Sequence, residues 1–220
     1  MNERSEGKMV EVQTNIKNKD LVSKRRKQII HAASKLFFEK GFDQTTMREI
    51  SHASGLTMGS LYDYLRSKDD ILVLVYKDVV ERFRLSLVGN GEEVREANPE
   101  DLEIILRRML RQMYKLSKAV QLLYRESWSR RKDVHLQMRE IDREYVSGFV
   151  QLLQKGHQKK YFHLKNPTVT ADLIFLLTSI PALREWSLSH IDQEEVVDTV
   201  VKFIMRGLSM ESQTKAVRRN

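Results

Sequence analysis

An all-α fold is the prediction, and three observations carry it. The 220 residues include only 9 Gly and 3 Pro, too few breakers for many short strands joined by tight turns. Apolar residues recur at three- and four-residue steps through most of the chain, the period of one helical face. Ser, Thr, Asn and Asp stand where several of those stretches begin, as helix N-caps do. The length suits one sizeable core or two small ones, and the pattern divides into a small N-terminal domain and a larger C-terminal one.

Residues 1–22 mix charges with Asn and Gln and show no apolar period, so they are expected to form a flexible arm. A first helix is predicted from about Lys24 to Lys40, with Ile29, Ile30, Ala33, Leu36 and Phe37 as its stripe and Gly41 as a left-handed C-terminal cap. Thr45 or Thr46 can cap a short second helix carrying Met47, Ile50 and Ala53, and Gly55 supplies the sharp turn. Thr57 can cap a third helix through Tyr64. Its Leu61, with Leu56 before it, faces inward, and Met58, Gly59, Ser60 and Tyr62 face outward. Ser67 and Asp70 form an acidic capping box for a fourth helix with Ile71, Leu72, Val75, Val79, Phe83 and Leu87 inside. The head is thus expected to span 23–67.

Residues 89–98 read as a loop closed by Asn98-Pro99 at a helix start. Leu102, Leu106, Met109, Met113 and Leu116 share one face of the next helix, a shorter one follows over Leu122 to Trp128, and Val134, Met138, Ile141, Tyr145, Phe149 and Leu152 define another. Leu173, Ile174, Leu176, Leu177 and Ile180 are apolar on more than one side. Val196, Val197, Val200, Val201, Ile204, Met205 and Leu208 form a broad double row after the Asp192…Glu195 box. So wide a stripe exceeds what one small core hides, and packing against the same helices of a second copy would cover it in a four-helix bundle; burial within one chain is the plain alternative. The expected dimer interface is therefore Leu173, Leu176, Leu177, Val197, Val200, Val201 and Ile204. Residues 68–212 would form this second domain and 213–220 a frayed basic tail.

Composition removes several function classes. No stretch approaches the roughly 18 apolar residues of a membrane span, no apolar secretion segment opens the chain, and a cytoplasmic setting is expected. The absence of Cys excludes disulfides and thiolate metal sites. The six His show no metal-ligand spacing, and neither a Gly-x-Ser-x-Gly elbow nor a phosphate-binding glycine loop is present, so no metal, cofactor or enzymatic activity is expected. A net charge of +8 suits a polyanionic partner, yet only +3 of it falls in Met1 to Asp70, where 13 basic face 10 acidic residues. Charge does not locate a nucleic-acid site; a motif must.

That motif is Thr46-Met-Arg-Glu-Ile-Ser-His-Ala-Ser-Gly-Leu-Thr-Met-Gly-Ser-Leu-Tyr-Asp-Tyr64, with Leu-Arg-Ser-Lys68-Asp-Asp-Ile-Leu72 after it. It provides a supporting helix, a tight turn and a second helix with outward side chains able to reach base edges in the major groove. Together with Ile-x-x-Ala-x-x-Leu-Phe over Ile30 to Phe37 and the Gly41-Phe42-x-x-Thr45-Thr46 turn, it closely resembles the DNA-binding domain of the tetracycline-repressor (TetR) family, from Arg25 to about Leu74. The resemblance implies that Thr46 and Arg48 meet DNA from the second helix, that Thr57, Met58, Gly59 and Ser60 face the groove, that Tyr62 and Tyr64 reach phosphates, and that Lys68 binds a phosphate at the next helix start. For the two tyrosines, aromatic packing between helices is the competing role. Family members often carry Lys where Met58 stands and Phe where Leu65 stands. The Lys24-Arg25-Arg26-Lys27 run has two readings, a flanking phosphate or minor groove and a solvated helix start.

The family's architecture further implies a homodimer on palindromic operator DNA, released by a small hydrophobic or amphipathic effector, with acyl-coenzyme A thioesters one class that loosely similar regulators answer to. Met109, Met113, Trp128, Tyr145 and Phe149 are the expected pocket lining, each also serviceable as plain core. The rival reading is an interaction protein that marks DNA and recruits a partner without an inducer. Arg107, Arg108, Arg111 and Lys115 are expected on a solvated face, and Glu126 either contacts a ligand or forms a surface ion pair.

Overall fold

The computed structural model of the chain describes residues 12, 14, 16–88, 97–127 and 132–209. The tail, most of the loop expected at 89–98, and Trp128 lie outside them. Among the described residues all regular structure is helical, in the order α1 (Lys19–Lys40), α2 (Met47–Ser54), α3 (Met58–Tyr64), α4 (Lys68–Val88), α5 (Pro99–Ser127), α6 (Lys132–Gln158), α7 (Pro167–Thr178), the short turns α8 (Ile180–Leu183) and α9 (Glu185–Leu188), and α10 (Gln193–Ser209). None of these is long and apolar enough to cross a membrane. They fall into two compact units, one within Met1–Val80 and Gln121–Asp142, the other within Glu81–Val120 and Arg143–Asn220.

In the first unit, Ile29, Ala33 and Phe37 of α1, Ile50 of α2 and Leu61 of α3 are all buried, with Leu56 under the turn. Most caps form as their sequences demand, but Gly41 ends α1 at φ 89 and ψ 157, outside the left-handed helical conformation expected of it, with its N–H on the Phe37 carbonyl. Thr46 and Glu49 close a full capping box on α2, and Gly55 is left-handed at φ 67. Ser67 Oγ accepts the Asp70 N–H while Asp70 Oδ2 accepts the Arg66 and Ser67 N–H groups, starting α4. Ala53 is exposed, against expectation, and Ser51 and Ser54 are buried instead. Their polar atoms stitch the turn: Ser51 Oγ donates to the Leu56 carbonyl at 2.5 Å, and Gln28 of α1 donates to the Ser54 carbonyl. Lower in this unit, the Tyr76 hydroxyl of α4 donates to the Asp142 carboxylate of α6.

Three boundaries differ from the sequence expectation. α1 starts five residues early because Asn18 caps it, accepting the Leu21 N–H at 3.0 Å. The end of the expected arm is packed: Val12 is buried and Thr14 is bonded to α3. α5 is continuous where two helices were expected, since 115–121 holds neither Gly nor Pro to interrupt it.

The second unit is built around Leu102, Ile105, Leu106, Met109 and Leu110 of α5, Phe149 and Leu153 of α6, Ile174 of α7 and the double row of α10. Here the expectation about α10 is corrected. Val197 is fully buried, Val201 and Ile204 nearly so, and Val200 is 9% exposed, all within one chain. The row is wide because α10 is enclosed by α5, α6 and α7 of its own unit, so its width does not call for a second copy. Among the described residues, large apolar side chains stay exposed elsewhere in this unit, among them Val169, Leu173 and Leu176 on α7, Trp186 on α9 and Phe203 on α10. Leu177 is half-buried against the core. The outer face of α5 is tied to α10 by ion pairs, Arg107 to Asp198 at 2.5 Å and Arg111 to Glu194 at 2.7 Å.

Candidate nucleic-acid interface

The head presents its polar atoms in a pattern set by the helix ends. Thr46 caps α2 and Thr57 caps α3, where its hydroxyl accepts the Ser60 N–H at 3.1 Å. Both threonines remain exposed, as does Arg48 in the first turn of α2. A helix N-terminus directs unpaired N–H groups outward and carries partial positive charge, and α3 does so with Met58 and Ser60 half-exposed and Gly59 open. A side chain built at Gly59 would meet nothing within 4 Å. The protein's own packing therefore does not require glycine there; the lack of a side chain matters only to something approaching from outside.

Tyr62 and Tyr64 separate. Tyr62 is 46% exposed and Tyr64 is 5% exposed, so the Tyr64 ring takes the packing role between helices. Lys68 also departs from its expected place. Its ammonium donates to the carbonyls of Phe42, Asp43 and Thr45 at 2.6, 3.1 and 2.8 Å and sits 4.5 Å from the Phe42 ring centroid. An ammonium has three donors, and three carbonyls occupy them. Lys68 thus fastens the turn between α1 and α2 to the start of α4, and a phosphate could be bound only by giving up one of those bonds.

In the basic run of α1, Arg26 turns inward and donates to the carbonyls of Val12 and Tyr64, while Arg25 bonds Gln28 at 3.0 Å. Lys40, at the end of α1, reaches Glu49 of α2 at 2.5 Å. That ammonium first, then the Thr46 N–H and hydroxyl, hold the Glu49 carboxyl at about 2, well below its ordinary 4.5.

Of the expected pocket residues, Met109 and Phe149 are closed inside the core of the second unit and Met113 is buried. Tyr145 and Phe149 both pack on Phe175, with ring centroids 5.1 and 5.2 Å apart. Phe175 was not expected; it sits in the Leu-Ile-Phe-Leu-Leu run of α7, where continuous apolarity hides which residue points at the aromatic pair. The Tyr145 hydroxyl is buried and meets no hydrogen-bond partner among the described residues, and burial raises its ionisation well above the ordinary phenol value. Glu126 is buried rather than on the surface, with Nε of the exposed Arg125 at 3.2 Å.

Residues 29–75 match the family of bacterial regulatory proteins, tetR family. Among curated relatives, the HTH-type transcriptional regulator HbdR of Aromatoleum sp. (strain CIB) is 44% identical over 63 residues, 29% of this chain and 28% of that protein. The fatty acid metabolism regulator protein of Bacillus subtilis (strain 168) is 26% identical over 129 residues, 57% of this chain and 62% of that one. The chain thus spans less than two thirds of the length of either relative. Among solved structures, the transcriptional regulator FadR from Bacillus subtilis in complex with stearoyl-CoA superposes with a TM-score of 0.68 at 20% identity, over 82% of this chain and 98% of that one. That likeness reaches across both units of the fold.

Proposed function

Because the N-terminal domain of this chain belongs to the tetR family of bacterial regulatory proteins, we propose that the protein is a sequence-specific transcription regulator whose DNA grip is released by a small amphipathic effector. The observation that carries the DNA reading is the α3 N-terminus, with Thr57 as its cap, open Gly59 and outward Met58, Ser60 and Tyr62. Thr46 and Arg48 of α2 flank it. Hydroxyls and a guanidinium there suit phosphate oxygens, a bare Gly59 allows backbone approach, and Met58 can press on a thymine methyl. Tyr64 and Lys68 are committed to the protein itself and act as supports.

The same reading makes the protein a homodimer on a palindromic operator. Val169, Leu173 and Leu176 form one stripe on α7, and Phe203 and Trp186 expose large apolar surface in the same unit, the kind of residual surface that a second copy covers.

For the effector, an acyl-coenzyme A thioester is the class supported. The B. subtilis relative is named for fatty acid metabolism, and a structural neighbour holds stearoyl-CoA. In this chain the second unit offers an apolar interior in which Tyr145 Oη, beside Phe149 and Phe175, has no hydrogen-bond partner among the described residues, which suits an apolar chain bearing a carbonyl. The test uses a duplex selected by the protein from a random pool, titrated with stearoyl-coenzyme A, coenzyme A and stearate. The thioester is expected to lower duplex affinity by about 5–150-fold, the usual range of allosteric coupling, and the duplex to lower thioester affinity by the same factor. A thioester that binds and leaves duplex affinity unchanged would refute the release mechanism.

A further inference from the structure

A helix leaves its last four carbonyls without intrahelical partners, and a left-handed residue after the last turn commonly folds back to satisfy some of them. α2 ends that way, with the Gly55 N–H on the carbonyls of Ser51 and His52. α3 does not: it ends on Leu65 in extended backbone, at φ −162 and ψ 158. Its last two carbonyls are taken from outside the helix. Thr14 Oγ1 donates to the Asp63 carbonyl at 2.8 Å. Arg26 Nη2 of α1 donates to the Tyr64 carbonyl at 3.2 Å and to the carbonyl of Val12, whose side chain is buried. The Thr14 hydroxyl oxygen in turn accepts the Ile16 N–H at 3.2 Å.

We infer that Arg26 is a positioning residue for DNA recognition: from α1, together with Thr14 of the segment before that helix, it caps the C-terminus of α3, its guanidinium also held by the Val12 carbonyl, and so holds the outward face of α3 in register. The inference rests on the DNA reading above. α3 has only seven residues, while isolated helices shorter than about 12–15 residues are marginal in water, so the persistence of its last turn depends on what caps it. A guanidinium at a helix C-terminus also complements the partial negative charge there. Loss of the cap would release the turn that carries Tyr62 and let the reading face shift. Phosphate contacts tolerate such a shift, because they attract without reading sequence; base contacts do not.

The experiment measures two affinities of the full chain by fluorescence anisotropy, for a duplex selected from a random pool by the unaltered protein and for a scrambled duplex of equal length. Arg26→Met is expected to weaken binding to the selected duplex about tenfold, comparable with one mismatched base pair, while binding to the scrambled duplex changes by less than about twofold, since no phosphate contact is lost. Arg26→Lys should recover part of the discrimination. Thr14→Val, which alters no charge, should move the same ratio in the same direction by a smaller amount. An Arg26→Met protein whose two affinities keep their ratio overturns the inference, whatever its melting temperature, because a purely structural role predicts that outcome. Should Arg26→Met fail to fold, Thr14→Val decides by the same criterion. If the unaltered protein selects no sequence, the DNA reading falls and this inference with it.

Discussion

Glu49 holds one end of α2 to two things at once, the Lys40 ammonium and the N–H and hydroxyl of Thr46. Both contacts favour the ionised carboxylate, so folding lowers its pKa from 4.5 to about 2. A carboxylate depressed on folding contributes stability that is complete above the unfolded value and disappears as pH falls through the folded one. Glu49→Gln keeps a side chain able to close the capping box and removes the charge. The melting temperature of the unaltered protein should therefore exceed that of Glu49→Gln at pH 6, with the gap closing between pH 4.5 and about 2. A gap as wide at pH 2 as at pH 6 would show that the charge is not its source. The contrast between Glu49 and Lys68 explains what the sequence could disclose about the site. Thr46 and Glu49 are three residues apart, as are Ser67 and Asp70, and such caps are legible because both partners lie within one helical turn. Lys68 finds its carbonyls 23 to 26 residues away and Arg26 reaches Tyr64 across 38. No local pattern marks such a pair, so both cations looked available to phosphate.

Helix period located nearly every element, and it failed where the surroundings rather than the period decide. The junction expected inside α5 does not exist because nothing breaks the helix, and the valine row of α10 looked like a contact surface because periodicity shows that a face is apolar without showing what covers it. Glycines in α6 expose the same limit and give a test. Gly148 and Gly156 both lie within the helix, and propensity alone says that Ala stabilises either by about 1 kcal/mol. Their surroundings differ. A Cβ at Gly148 meets nothing within 4 Å, whereas at Gly156 it would lie 2.2 Å from the Phe162 ring and 2.8 Å from the Ala97 carbonyl. Gly148→Ala should raise stability by up to about 1 kcal/mol, and Gly156→Ala should lower it by about 1–3 kcal/mol, the cost of overpacking a filled site. Urea denaturation of the two variants measures the difference. Equal shifts of the same sign would mean that Phe162 and the Ala97 backbone yield without cost.

On the scale of the whole molecule, the second unit covers its widest apolar row by itself and leaves a different apolar surface bare. Leu173 is 54% exposed, Leu176 57% and Phe203 66%, while Val200 and Ile204 are enclosed. The two sets must respond differently to a charge. An Asp at Val200 would bury an unpaired carboxylate in the core, which destabilises a fold by several kcal/mol, so Val200→Asp should lose helical structure. An Asp pair at Leu173 and Leu176 would stand in water in a single chain and be buried only where two copies meet. The Leu173→Asp, Leu176→Asp variant should therefore keep its helical content and fall from dimer to monomer mass in light scattering. DNA binding follows from that change. Two heads joined by one interface can enter successive major grooves about 34–36 Å apart, and a monomer brings only one head, so the variant should bind a single half-site and lose the gain that linkage gives the second. A variant of unchanged helical content that retains dimer mass would place the subunit contact away from α7. A folded monomer that binds the full site as tightly as the dimer would leave the bare face without a role in DNA recognition.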